Sequence, residues 1–150
     1  MSLGIYTLDS QGSYSKHSDD GSMSNPITTV HHGRDGDTIE KQLWIKSSND
    51  NAYSNIQVKP VSISSDDDIG IGTYRGTSGW GVKLMEHPGH NPTEAEWDAV
   101  EYGAVCDIAD DITSSNDARV FWCRIESPRG INVQNKNNIK FVILYTETPV

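Results

Sequence analysis

Four segments of this chain alternate apolar and polar residues with a period of two, and turn-forming residues bound each of them: Thr38 to Lys46, Tyr53 to Ile63, Arg119 to Glu126 and Ile139 to Glu147. A period of two marks a strand with one face buried, whereas an amphipathic helix repeats its apolar residues at three and four. In the first segment Ile39, Leu43 and Ile45 share one parity, Glu40, Gln42 and Trp44 take the other, and Lys41 interrupts the inward set near an edge. In the second, Ile56 and Val58 are even while Val61 and Ile63 are odd, and Pro60 stands at the change. That switch predicts a bulge at Pro60, or a crossing there between sheets. In the last, Phe141, Ile143 and Tyr145 alternate with the equally apolar Val142 and Leu144. Cover on both faces predicts a central strand.

Shorter strands are expected at Leu3 to Leu8, Ile27 to Val30, Trp80 to Met85 and Ala104 to Ile108, with a brief one at Ile69 to Tyr74. Ile27 to Val30 follows Asn25-Pro26 and reads as an edge, because proline cannot donate to a ladder. The Asp35-Gly36 pair ahead of Thr38 marks a tight turn, and Ser47 to Ala52 reads as a polar hairpin loop. Helix is indicated in one place: Thr93 to Glu96 forms a capping box behind Pro92, with Trp97 and Val100 on one face. The fold class expected is therefore all-β, an antiparallel two-sheet β-sandwich with one short inserted helix near residues 93–100; a partly closed barrel is the alternative. Asp9 to Asn25 is too polar to pack, so residues 1–25 read as an extended strand and polar arm ahead of a single sandwich domain over 26–150. Removal of residues 1–24 is then expected to leave a folded domain.

Composition sets limits on partners. The chain has 12 basic and 21 acidic residues, a net charge of −9. Such a balance argues against direct nucleic-acid binding and against anionic membranes. No stretch approaches the roughly 20 apolar residues of a membrane span, and the N-terminus shows neither the basic nor the apolar region of a secretory signal. Two cysteines, Cys106 and Cys123, give no disulfide framework, and Cys123 within Val120-Phe121-Trp122-Cys123 reads as a buried thiol.

Candidate chemistry is sparse. His87-Pro88-Gly89-His90 places two imidazoles three apart, but on a turn and without further ligands. His31 and His32 lie near Asp35 and Asp37, yet adjacent residues on an extended chain point to opposite sides. Asp66-Asp67-Asp68 does not have the ligand spacing of a calcium loop. Nucleophile-elbow, phosphate-loop and zinc-protease motifs are absent from the sequence. The reading is a non-enzyme that takes no metal or cofactor.

Trp122, in the most apolar strand, reads as core, and Trp97 as the anchor of the helix. Trp44 faces away from Leu43 and Ile45, toward filling by the second sheet, and Trp80 stands between Gly79 and Gly81. Exposed aromatics serve sugar-stacking modules and protein interfaces alike. The interface candidates are Tyr6, Tyr14 and Met23 in the arm, Trp80 between glycines, and Arg75 and Arg129 in loops.

Asn25-Pro26, then Gly33-x-x-Gly36-Asp37-Thr38-x-Glu40-Lys41-x-Leu43-Trp44-Ile45-Lys46, Asn49-Asp50 and Tyr53-x-Asn55-Ile56, form a pattern. It resembles small β-sandwich virion proteins of tailed bacteriophages. Phe121-Trp122-x-Arg124-Ile125, Pro128-Arg129-Gly130 and Asn135-Lys136-x-x-Ile139 are similar to the closing strands of such proteins. The family's usual Arg-Asn-Asp step is replaced by Lys46-Ser47-Ser48-Asn49-Asp50. What the resemblance implies is a virion structural protein, assembled in the host cytoplasm. A capsid decoration or cement protein is expected first, homo-oligomeric and bound to the major capsid protein or other virion proteins. A tail, neck or baseplate component comes next. A carbohydrate-binding module using Trp44, Trp80 and Tyr74 is the rival from another class.

Overall fold

The computed structural model describes residues 3–17, 27–31, 37–62, 81–127, 134–136 and 139–149. Among these residues ten strands and one helix follow in chain order: β1 Leu3–Leu8, β2 Tyr14–Lys16, β3 Thr29–His31, β4 Thr38–Ser47, β5 Ala52–Ser62, β6 Gly81–Glu86, α1 Glu94–Asp98, β7 Cys106–Ile108, β8 Ala118–Glu126, β9 Gln134–Lys136 and β10 Ile139–Thr148. The larger sheet runs β2-β1-β4-β8-β6 and the smaller β10-β5-β7, all antiparallel, while β3 pairs with β9. This is the expected all-β two-sheet sandwich, and α1 falls within the span predicted for it.

The two sheets bury one core. Leu3, Ile5, Leu43, Ile45, Val82, Leu84, Phe121, Cys123 and Ile125 enter it from the larger sheet. Tyr53, Ile56, Val58, Cys106, Ile108 and Phe141 enter from the smaller. Alternation thus does its work: in β8 the buried Phe121, Cys123 and Ile125 share one parity.

Several expectations are corrected. Ser47 to Ala52 does not close a hairpin, since β4 and β5 belong to different sheets. Its polar residues tie a crossover instead: Ser47 Oγ and Asn49 bond each other, and the Tyr53 hydroxyl lies 2.8 Å from Asn49 Oδ1 and 3.0 Å from Glu147 Oε2. The bulge in β5 sits at Asn55, not at Pro60, while Ile63, on which the parity change expected beyond Pro60 partly rests, lies outside the described residues. Tyr53 is buried, then Ile56, Val58 and Pro60, and the register against β10 shifts between Leu144 and Thr146. Asn55 takes φ of 53°, the left-handed turn of a bulge, which asparagine tolerates better than most residues. Pro60 lies in regular register with Phe141; β7 has ended at Val58, so no ladder partner of β7 stands opposite it. β10 is an edge strand among the described pairings, with Phe141 inward and Leu144 outward and exposed. Its unbroken apolar run resembled a central strand only because Val142 and Leu144 are apolar on the outer side.

Of the segment read as a polar arm, Asp9 to Ser13 is a turn closed by Asp9 Oδ1, which accepts from the amides of Gln11 and Ser13. Tyr14–Lys16 then returns along β1. Residues 18–25 lie outside the described residues. So do the expected strand Ile69 to Tyr74, the Asp66 to Asp68 run and His32.

Candidate functional site: an aromatic stripe on the outer sheet face

The face of the larger sheet that turns away from the core divides into two halves. One half is roofed. Residues 87–105 cross it as a strap, and α1 sits within the strap, begun by a capping box in which the Thr93 and Glu96 side chains bond reciprocally to backbone. Trp97 is fully buried there, outside the inter-sheet core. Its indole N–H donates to Glu40 Oε1 at 2.9 Å, and its carbonyl accepts from Lys83 Nζ at 2.9 Å. Arg124 Nη2 bonds Glu94 Oε2 at 3.1 Å, its Nε lies 3.6 Å from Glu126 Oε2, and the Tyr102 hydroxyl donates to Glu126 at 2.9 Å. Lys83 also lies over the Tyr102 ring. Tyr102 covers Gly81 so closely that a Cβ there would stand 2.7 Å from its Cδ1. Arg124 is thus paired with Glu94 and Glu126, whereas the buried Lys83 ammonium is met by the Trp97 carbonyl and the Tyr102 ring.

The other half carries a stripe of rings that continues across the strands. Cross-strand register puts Tyr6 beside Lys16 and Trp44, Tyr14 beside Leu8, and Trp44 beside Val120; one step along, Gln42, Trp122 and Met85 are aligned. Tyr14 meets Tyr6 edge-on, centroids 6.3 Å apart, and Trp44 edge-on at 6.1 Å. Lys46 Nζ stands 4.5 Å from the Tyr14 centroid and donates to Ser115 O. Leu8 is 36% exposed and Tyr14 39% exposed. Side by side on the outer face, these two make a joint apolar surface, unlike the isolated apolar residues common on any protein.

The sequence placed these residues unevenly. Tyr6 and Tyr14, both expected at an interface, are brought together. Met23, Arg75, Trp80 and Arg129, and with them Tyr74, lie outside the described residues. Trp44 does not fill space between the sheets; it is half-buried on the outer face against Tyr14. Trp122 is likewise outside the core, its indole N–H donating to His87 Nδ1 at 2.9 Å. In Val120-Phe121-Trp122-Cys123 both parities are apolar, so the run alone could not tell which face was inward. Leu8, Lys46 and Val120 were missed, and only the strand order collects them.

The remaining chemistry is dispersed. His87 accepts from Trp122 while His90 pairs with Glu96 at 2.8 Å, so the two imidazoles of the turn serve different partners. Among the described residues no three His, Cys, Asp or Glu side chains gather at metal-binding distances. Burial pushes the Cys106 and Cys123 thiols up to about 12, which leaves very little thiolate at neutral pH.

Compared with family models, with curated proteins and with solved structures, the chain matches none of them.

Proposed function

We propose that this chain is a structural subunit that docks on a larger protein assembly through the half of its larger sheet that carries the aromatic stripe. Within that class the reading is a virion protein of a tailed bacteriophage, a decoration or cement protein on the head shell. The observation that carries the docking role is the stripe of Tyr6, Tyr14 and Trp44 with Leu8, a contiguous aromatic surface held on rigid strands. Rigid aromatic side chains are the residues that supply most of the binding energy at protein interfaces, because they bury large areas at little conformational cost. The virion setting rests on the resemblance of residues 33–56 and 121–139 to that family's strands and turns.

The carbohydrate-binding alternative asks for ring faces turned outward. Tyr14 stands edge-on to both neighbours, at 86° to Tyr6 and 77° to Trp44, and one of its faces meets Lys46. That packing suits a protein surface better than a flat sugar platform. The test of the setting is quantification by mass spectrometry in purified virions, against the major capsid protein. A near-stoichiometric ratio is expected. A ratio tens-fold lower would assign the chain to the neck, tail or baseplate, and its absence would overturn the virion reading.

A further inference from the structure

We infer that the strap over the larger sheet is a latch, which opens as one body and bares a row of charges while both sheets stay intact. The inference is independent of the docking role proposed above. Chain order makes such a motion available. The strap joins β6 to β7, and each end is secured by a ladder of its own: Gly81 to Glu86 pair with β8, and Cys106 to Ile108 pair with β5. Lifting the residues between them breaks neither ladder. Among the described residues, one backbone hydrogen bond crosses from residues 88–105 to a sheet, Gly103 N–H to the Val82 carbonyl at 2.7 Å.

The rest of the hold runs through side chains, and it is uneven. Of residues 88–105 only Trp97 and Gly103 are buried, so the strap contributes a single buried side chain. Beneath it Glu40, Arg124 and Lys83 lie in register across β4, β8 and β6, a transverse row of charged residues. Arg124, Lys83 and the nearby Glu126 are buried. Charges regain their hydration when uncovered, which offsets much of what their contacts contribute. A roof over charges is therefore held more weakly than the apolar layer between the sheets, where Leu43, Val82, Phe121 and their neighbours pack. The strap is also bonded to itself. Glu96 Oε1 accepts from the Thr93 amide at 2.9 Å and lies 2.8 Å from His90 Nε2. The Trp97 amide donates to Thr93 O, Val100 to Trp97 O and Ala104 to Glu101 O. A segment tied to itself, and tied to its support by few apolar contacts, opens as a unit at a lower free energy than the whole domain.

The test is native-state hydrogen exchange on the full chain, labelled with ¹⁵N, over a series of low urea concentrations. The Trp97 indole N–H and the Val100 and Gly103 amides, all hydrogen-bonded in the latched form, are compared with the slowest amides of β8. The three strap protons are expected to share one protection factor, about 100-fold below that of β8, with a weak dependence on urea because little surface is uncovered. Ile45→Val trims the core that the latched and opened forms have in common. It should lower β8 protection about fivefold and leave the strap protons unchanged. Trp97→Ala should abolish strap protection while β8 stays protected. Strap protons that follow β8 in rate and urea dependence, three unrelated strap protection factors, an equal response of strap and β8 to Ile45→Val, or loss of the whole fold in Trp97→Ala would each overturn the inference.

Discussion

Asn55 shows how a single residue redirects a strand. Its φ of 53° inserts the bulge that lets Tyr53 and Ile56 both face the core, and its side-chain amide reaches Thr146 Oγ1 at the edge of bonding distance, 3.5 Å. Asn55→Gly is expected to be neutral or mildly stabilising, and Asn55→Val to cost about 1–2 kcal/mol, because a β-branched residue resists the left-handed region. Urea unfolding of the two variants checks this. From the sequence an irregularity was expected at Pro60, on Val61 and Ile63, and the one between Tyr53 and Ile56 was not found. Proline is compatible with a bulge but equally with a position whose neighbour strand has ended, and only pairing distinguishes them. The thiols give a second prediction at this scale. Cys106 and Cys123, buried and pushed up to about 12, should not react with a thiol-specific disulfide reagent in the native protein and both should react in denaturant. Rapid reaction of either in the native chain would contradict the core packing.

Two elements carry distinct loads. β1 contributes Leu3 and Ile5, neither exposed at all, and β2 returns along it, so deletion of residues 1–24 would remove two core side chains and the neighbour of β4. Leu3→Ala alone should cost about 2–5 kcal/mol, and the deletion variant should fail to unfold cooperatively by heat. Polar composition suggested a loose arm from Asp9 onward; the turn at Asp9 to Ser13 and the strand Tyr14–Lys16 are polar because all of them are exposed, β2 lying beside β1 at the end of the larger sheet and beyond the core. The strap is held differently, by Trp97 and by paired charges. Trp97→Ala should cost about 3–5 kcal/mol, and Trp97→Phe less, with loss of the bond to Glu40. The capping box was readable from Thr93 and Glu96; the burial of Lys83 and Arg124 beneath the strap was not, because outward charged residues on a strand ordinarily face water.

Loop and cap carboxylates give the pH response at the same scale. The backbone amides of Thr93, Ser115 and Thr113 hold Glu96, Asp50 and Asp117 respectively below their ordinary values of 4.5, 3.8 and 3.8. A carboxyl lowered in the folded state contributes stability above its unfolded value, and that contribution is lost as pH falls through the folded value. The thermal midpoint is therefore expected to fall below about pH 4, and Asp50→Asn to flatten that decline. An unchanged decline in Asp50→Asn would show that the Ser115 contact adds nothing.

At the scale of the molecule, the strand pattern gave the two layers but not their order. β1, β4, β8 and β6 are widely separated in sequence, and the crossover from β4 to β5 moves the chain between sheets. Tyr6 and Tyr14 were recognisable as exposed aromatics one by one; that Trp44 and Lys46 join them depends on β1 lying between β2 and β4. The surface so assembled is the proposed docking face. It is tested most directly by photo-crosslinking in assembled particles, with benzoylphenylalanine replacing Tyr14 in one sample and the exposed Lys59 of the opposite sheet in another. Crosslinks to another structural protein from position 14 and not from position 59 are predicted. Crosslinks from position 59 alone would contradict the assignment of the docking face.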